Sequence, residues 1–358
     1  MIYFDHNATT PVDNRVLEAM LPFLTTFYGN PSGLYRLARI SRSAIDTARE
    51  QVAQLVNAHA EQIIFTSGGT EANNLALKGI KLSPKILTSV IEHPSILEVN
   101  AQCLIGVTHQ GYVDVQEAAK FVGHKIDIAS FMLVNNETGV IQDIAYLSRL
   151  FRERGVLVHV DAVQAAGKIA LDFSALDIDL MSLSSHKIYG PKGCGALIVA
   201  NNTIQTPLFT GGGQESGYRS GTENVAAIVG FGKAAELAYT ELEQRQQHCL
   251  KLRQYLEAQL ETLPHIKIIA QHSERVTNTV QFTVANCVGE MLLMQLDKHG
   301  IAVSSGSACA SEQVMASHVL VAMGIPENLA KSALRISFGQ QNTVQEIDVF
   351  VQKLKEII

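Results

Sequence analysis

The sequence predicts an α/β fold built on a mainly parallel sheet, with a smaller α+β domain beside it, and three observations lead there. Between about residues 40 and 240, short runs rich in Ile, Val and Leu alternate with amphipathic segments. Such short apolar runs are the mark of buried strands. Near residue 244 this texture changes, and 358 residues exceed what one small core holds.

Taken in order, "QIIFTS", "KILTSV", "IASFMLVN", "VLVHVDA", "LMSLSS" and "GALIVA" read as strands, with helices between several of them. A long helical stretch follows, "NVAAIVGFGKAAELAYTELEQRQQHCLKLRQYLEAQLETL". Beyond it come a strand in "TNTVQFTVAN", a helix around "GEMLLMQLDKHG", a cysteine-bearing loop and a final helix. The large domain is assigned to residues 16–243, the small one to 1–15 and 244–358.

A net charge of −6 without a basic stretch argues against a nucleic acid or an anionic membrane as partner and points to a small solute. No run of about 18 apolar residues occurs and "MIYFDHNATT" meets charge at once, so a cytoplasmic protein with neither signal nor span is expected. Five cysteines at 103, 194, 249, 287 and 309, widely spaced and without a CxxC pair, argue against a disulfide framework and a structural metal. Cys103 reads as helical, Cys194 as a strand approach, Cys249 as part of the long helix and Cys287 as a strand end, most of them packing positions. Cys309 differs. In "SSGSACASEQVMASHVL" the small and hydroxylated residues before it offer no packing partners, as suits a thiolate that must reach something and be reached.

Three segments carry candidate chemistry. In "IIFTSGGTEANNLALKG" a strand runs into Ser67-Gly68-Gly69-Thr70 and a helix starts at once, either an ordinary capped turn or a phosphate cradle of backbone amides and hydroxyls. In "VLVHVDAVQAAGK", Asp161 stands at the carboxyl end of a buried strand, as a helix cap or as the partner of a cationic ligand group, with Gln164 three residues on. In "DLMSLSSHKIYGPKGCGALIV", Lys187 ends another strand behind two serines and His186, as a surface lysine or as one able to form a Schiff base. The dinucleotide fingerprint and the P-loop are both absent. A phosphate cradle, an acid for a pyridinium nitrogen and a Schiff-base lysine together are what pyridoxal phosphate requires.

These residues resemble the pyridoxal-phosphate cysteine desulfurases, of the class that serves iron–sulfur cluster assembly and related sulfur transfer. The motifs are "FDHNATTPVD", "GNPSG", "FTSGGTEANNLALKG", "EHPSIL", "VNNETGVIQDI", "HVDAVQAAGK", "SSHKIYGPKG", "GGGQESGYRSGT", "SSGSAC" and "LRISFG", in family order from residue 4 to about 339. The resemblance implies an aspartate-aminotransferase-like, type I fold. It implies that Lys187 binds the cofactor aldehyde, Asp161 pairs the ring nitrogen, and Asn136 and Gln164 contact the phenolic oxygen. Gly69 belongs to the phosphate loop, and Thr70, Ser184 and His186 hold the phosphate. Thr222 reaches the phosphate of the neighbouring subunit, which implies a homodimer with shared sites. His93 stacks on the ring and serves acid–base steps, while Arg335 and Asn30 grip the substrate carboxylate. Cys309 takes sulfur from L-cysteine as a persulfide, leaves alanine, and carries the sulfur on a mobile segment to an acceptor protein.

The chain departs from the family pattern at Leu34 and Tyr35, where serine and histidine are common, and at Ala316, where proline is. It also stops at "FVQKLKEII" without the tail that cluster-assembly enzymes use to dock a scaffold, which leaves the acceptor open. An aminotransferase or β-lyase would need the lysine and aspartate without Cys309, and selenocysteine could replace cysteine as substrate.

Overall fold

The computed structural model describes residues 1–99, 101–200, 203–305 and 316–358. Cys309 and the segment 306–315 around it lie outside the described residues. The short strand β1 (Ile2–Tyr3) opens the chain, and helices α1 (Asn14–Thr25) and α2 (Arg36–Leu55) follow. Seven strands then form one sheet: β2 (Ile63–Thr66), β3 (Ile86–Ser89), β4 (Cys103–Ile105), β5 (Ile128–Met132), β6 (Leu157–Asp161), β7 (Leu180–Ser184) and β8 (Gly195–Val199). Their spatial order is β2-β8-β7-β6-β5-β3-β4, and β8 runs antiparallel to both its neighbours while the remaining pairs are parallel.

Each of the six apolar runs read from the sequence is one of these strands. The seventh corrects a reading: Cys103 lies in edge strand β4, not in a helix. Three residues with one buried side chain are too short for a periodicity to register. The long helical stretch is two helices, Val225–Thr240 and Leu242–Glu261, parted at Glu241 where the backbone leaves helical geometry (φ −103°, ψ 8°).

The carboxyl ends of the parallel strands gather the site, as in open α/β sheets generally. Beneath them His159 on β6 is sandwiched between Ser130 Oγ on β5 (2.8 Å) and Ser182 Oγ on β7 (2.9 Å). Burial alone pushes this imidazole down to about 3, so it is a neutral hydrogen-bonding strut of the sheet.

A second core forms around an antiparallel sheet ordered β12-β13-β10-β9, from β9 (Ile266–Ile268), β10 (Thr279–Val284), β12 (Ser304–Ser305) and β13 (Ala333–Ser337). Leu256, Phe282, Leu296, Ile336 and Phe350 fill it, and Phe4 from the start of the chain joins them. The β1 strand pairs in parallel with β11 (Ile301–Ala302), so the amino-terminal segment is stitched to residues 299 positions away before it crosses to the larger sheet. Among the described residues no helix is long and apolar enough to cross a membrane.

Candidate active site

The loop after β2 turns through Gly68, whose φ of 157° and ψ of −179° suit only glycine, and helix α3 (Gly69–Lys78) begins immediately. No side chain caps α3, so its first-turn amides are left for a ligand. A Cβ on Gly69 would come within 2.9 Å of Val163 Cγ2 and 3.5 Å of Ser184 Cβ, so this glycine keeps a cradle open. The Ser184 Oγ is buried there with no hydrogen-bond partner among the described residues. Thr70 is exposed at the rim, and the loop is held by Glu71, which accepts from Ser67 N at 2.8 Å and pairs with Arg219 at 2.9 Å. An orphaned hydroxyl, free amides and a glycine cradle fit a phosphate.

Asp161 ends β6. Its Oδ2 accepts from Asn73 Nδ2 at 2.8 Å and its Oδ1 from Val163 N at 3.0 Å, which fixes the carboxylate plane. Asn73 also donates to Ser95 Oγ at 2.9 Å, and Ser95 in turn lies 2.8 Å from His93 Nδ1. Because His93 Nδ1 also accepts from Ser95 N at 3.1 Å, the neutral ring carries its proton on Nε2. His93 is exposed, yet desolvation and the nearby Lys187 and His318 lower its pKa, with Asp161 opposing. Asp161 and His93, both read from the sequence, are thus joined through Asn73 and Ser95, which were not.

Lys187 sits on the turn after β7, and its Nζ donates to the carbonyls of Asn7 (2.6 Å) and Ala8 (2.8 Å). The preceding His186 lies 3.1 Å from Thr9 Oγ1, and burial followed by Lys187 and Lys192 pushes it down to about 4. Gln164 Nε2 donates to the same Asn7 carbonyl at 2.9 Å, and Asn7 Nδ2 donates to the Asn136 carbonyl at 3.1 Å. That carbonyl also accepts from Arg335 Nη1 at 2.9 Å, while Arg335 Nη2 donates to Asp5 Oδ1 at 2.6 Å. The Arg335 Nε is buried without a partner among the described residues. Residues 5–10 therefore run between the two halves and touch Lys187, Gln164, Asn136, His186 and Arg335.

The structure thus gathers Gly69, Ser184, Asp161, His93, Lys187, Gln164, Asn136 and Arg335 about one cleft. Thr222 and Asn30 are exposed, and the Asn30 side chain accepts from Ser32 N at 3.0 Å in its own turn. Two buried acids beside His93 and Asn136 escaped the sequence reading. Burial raises Glu92 to about 8, and it accepts from Ser89 Oγ at 2.5 Å. Glu137, also raised by burial, accepts from Ser317 Oγ at 2.5 Å, while His318 Nε2 donates to the Glu92 carbonyl at 3.1 Å. The runs "EHPS" and "NNET" marked their neighbours, but nothing in a single sequence distinguishes a buried acid from a solvated one.

Comparison with known proteins places this geometry in a family. The class-V aminotransferase model matches residues 2–350. The cysteine desulfurase IscS of Dictyoglomus turgidum is 40% identical over 374 aligned residues, covering 100% of this chain and 94% of that protein. A NifS-like protein from Rickettsia africae superposes with a TM-score of 0.93 at 37% identity, covering 100% of this chain and 99% of that one. A structure described as SspA in complex with cysteine superposes at 0.83 with 31% identity, covering 94% and 99%. With the type I fold and these relatives across its whole length, the chain belongs to the class-V aminotransferases and, within them, to the pyridoxal-phosphate-dependent cysteine desulfurases.

Proposed function

We propose that this chain is a cysteine desulfurase that takes the sulfur of L-cysteine onto Cys309 and releases L-alanine. The observation that carries the reading is Arg335. Its guanidinium is held on two sides by Asp5 and Asn136 yet keeps a buried Nε without a partner, in the same cleft as Lys187 and Asp161. An amino acid needs such a planar donor for its carboxylate while its α-carbon lies beside the lysine.

The residues would divide the work as follows. Pyridoxal phosphate, when bound, supplies an aldehyde for the substrate amine and a conjugated ring that accepts electrons from the α-carbon. Ser184, His186, Thr70 and the amides after Gly69 hold its phosphate, and Lys187 holds its aldehyde. Asp161, fixed by Asn73, would pair the ring nitrogen, while Asn136 and Gln164 would contact the phenolic oxygen. The Lys187 amine would move the proton at the substrate α-carbon. His93 would stack on the ring and serve acid–base steps. Cys309 Sγ forms a bond to the substrate sulfur as the Cβ–S bond breaks, and the electron pair of that bond stays with carbon, which becomes the methyl group of alanine. The persulfide then passes to an acceptor protein, in iron–sulfur assembly or related sulfur traffic.

We read the active form as a cytoplasmic homodimer in which Thr222 serves the partner's phosphate. Helix α1 supports this: Leu17, Leu21 and Leu24 are 45%, 46% and 59% exposed on one side of it, a stripe that a second copy would cover. The domain division at residues 243 and 244, with 1–15 in the small domain, is likewise proposed. It agrees with the presence of Phe4 and Leu252 in one core and Ala235 in the other.

The test is alanine formation from L-cysteine with a thiol reductant, in wild type and Cys309→Ala matched for cofactor absorbance. Wild-type turnover with at least a hundredfold loss in the variant supports the reading. Equal alanine formation by both would remove Cys309 from the chemistry, and a keto-acid requirement would make the protein an aminotransferase.

A further inference from the structure

Lys168 lies beside the site, and no step described above uses it. Its stem borders a small cavity shared with Lys187, Tyr189 and Cys249, while its Nζ sits deep in the protein. The Nζ donates to Gln164 Oε1 at 2.5 Å and to Asn7 Oδ1 at 2.8 Å, both oxygens of neutral amides. The charged and titratable groups facing it are Lys187 on the turn after β7, Arg335 on β13, Cys249 on the helix Leu242–Glu261 and His6 on the amino-terminal segment. Burial, then Lys187 and Arg335, hold its pKa well below the ordinary lysine range, and Cys249 opposes them. An uncharged side chain of similar length would avoid that penalty.

What the amine contributes is visible in its two acceptors. With Oε1 against Lys168 and Nε2 donating to the Asn7 carbonyl at 2.9 Å, the Gln164 amide is clamped at both ends. The amide nitrogen carries two hydrogens, and the Asn7 carbonyl takes one. The other is left for a ligand acceptor, and a donor pulling on Oε1 makes that N–H a stronger hydrogen-bond donor. Lys168 fixes Asn7 as well. Asn7 Oδ1 accepts from Lys168 and from Asn278 Nδ2 at 3.0 Å, which turns Asn7 Nδ2 toward the Asn136 carbonyl.

We infer that Lys168 is a positioning residue that clamps and polarises the Gln164 amide, so that its remaining N–H serves the cofactor's phenolic oxygen. The inference rests on the reading that Gln164 contacts that oxygen. It is tested on the holoenzyme by following the visible absorbance band of the bound cofactor against pH in wild type, Lys168→Met, Lys168→Arg, Gln164→Ala and the double variant. A weaker donor leaves the phenolic oxygen more basic and holds its shared proton to higher pH. Lys168→Met and Gln164→Ala should therefore each move the midpoint upward by about one pH unit. Lys168→Arg, which keeps the donor, should restore most of the wild-type value, and Lys168→Met should add nothing to Gln164→Ala.

A shift that persists undiminished in the Gln164→Ala background would mean that Lys168 acts by its field alone, and would overturn the inference. So would a silent Lys168→Met beside a responsive Gln164→Ala, which leaves the assignment of Gln164 standing. A silent Gln164→Ala would overturn that assignment and the inference with it. Should Lys168→Met not fold, Lys168→Leu, which likewise has no donor for Gln164 Oε1, carries the same expectation.

Discussion

Replacing Arg335 by lysine separates the shape of the guanidinium from its charge. In the structure Arg335 spends one N–H on Asp5 Oδ1 and another on the Asn136 carbonyl, and keeps a buried Nε without a partner. Lysine at the same place keeps a positive charge beside Asp5 but has no planar fork, so a substrate carboxylate loses at least one charge-assisted hydrogen bond. Such a bond contributes about 1.5–3 kcal/mol, which corresponds to a rise in KM of roughly 10- to 150-fold. The interaction is made with the carboxylate and not with the reacting bond, so kcat should change far less than KM. The assay is steady-state alanine formation over a range of L-cysteine concentrations, with thermal unfolding and cofactor absorbance confirming an intact protein. A KM within about threefold of wild type in a folded, cofactor-loaded variant would refute the assignment of Arg335 to the substrate carboxylate.

Gly69→Ala should weaken cofactor binding by roughly ten- to a hundredfold, because its Cβ meets a β-branched side chain that has little freedom to yield. Titration of the apo-protein with pyridoxal phosphate measures this, and unchanged affinity would show that the cradle is not the phosphate site. Stability should fall as pH drops from 6.5 toward 3, since burial holds His159 at about 3 and, with neighbouring charges, His6 and His186 at about 4. The unfolded chain binds protons there that the folded one does not, so the unfolding free energy rises with pH across the window. Urea midpoints at several pH values should show a smaller slope in His159→Gln, and an identical slope would exclude His159 as a contributor.

The strands of the large sheet are readable from sequence because most are rich in Ile, Val and Leu, and several end at a polar residue, as β6 does at Asp161 and β7 at Ser184. The same feature places Asp161, Gln164, Ser184 and Lys187 at strand ends. The break at Glu241 is not readable, for Ala235, Glu236, Leu237 and Ala238 before it and Leu242, Glu243, Gln244 and Arg245 after it are all good helix formers. Nor are the supporting contacts. Asn73 lies 88 residues from Asp161 and Asn7 lies 180 from Lys187, separations at which local pattern carries no information. A lysine such as Lys168 looks solvent-facing in the sequence, and only the fold shows that its amine is enclosed.

The path of residues 4–10 between the two halves sets an order in time. Asn7 N donates to Ser337 Oγ across 330 positions of chain, and Asp5 meets Arg335 at the same separation. At about 5–20 residues per second, synthesis leaves the first of these partners waiting on the order of twenty seconds to a minute for the second. The larger sheet is complete by residue 199 and can form in that interval, as can the contact of Lys187 with Asn7, but the contacts of Arg335 with Asp5 and Asn136 cannot. A nascent chain therefore has no assembled site with which to take up an amino acid until Arg335 has been made.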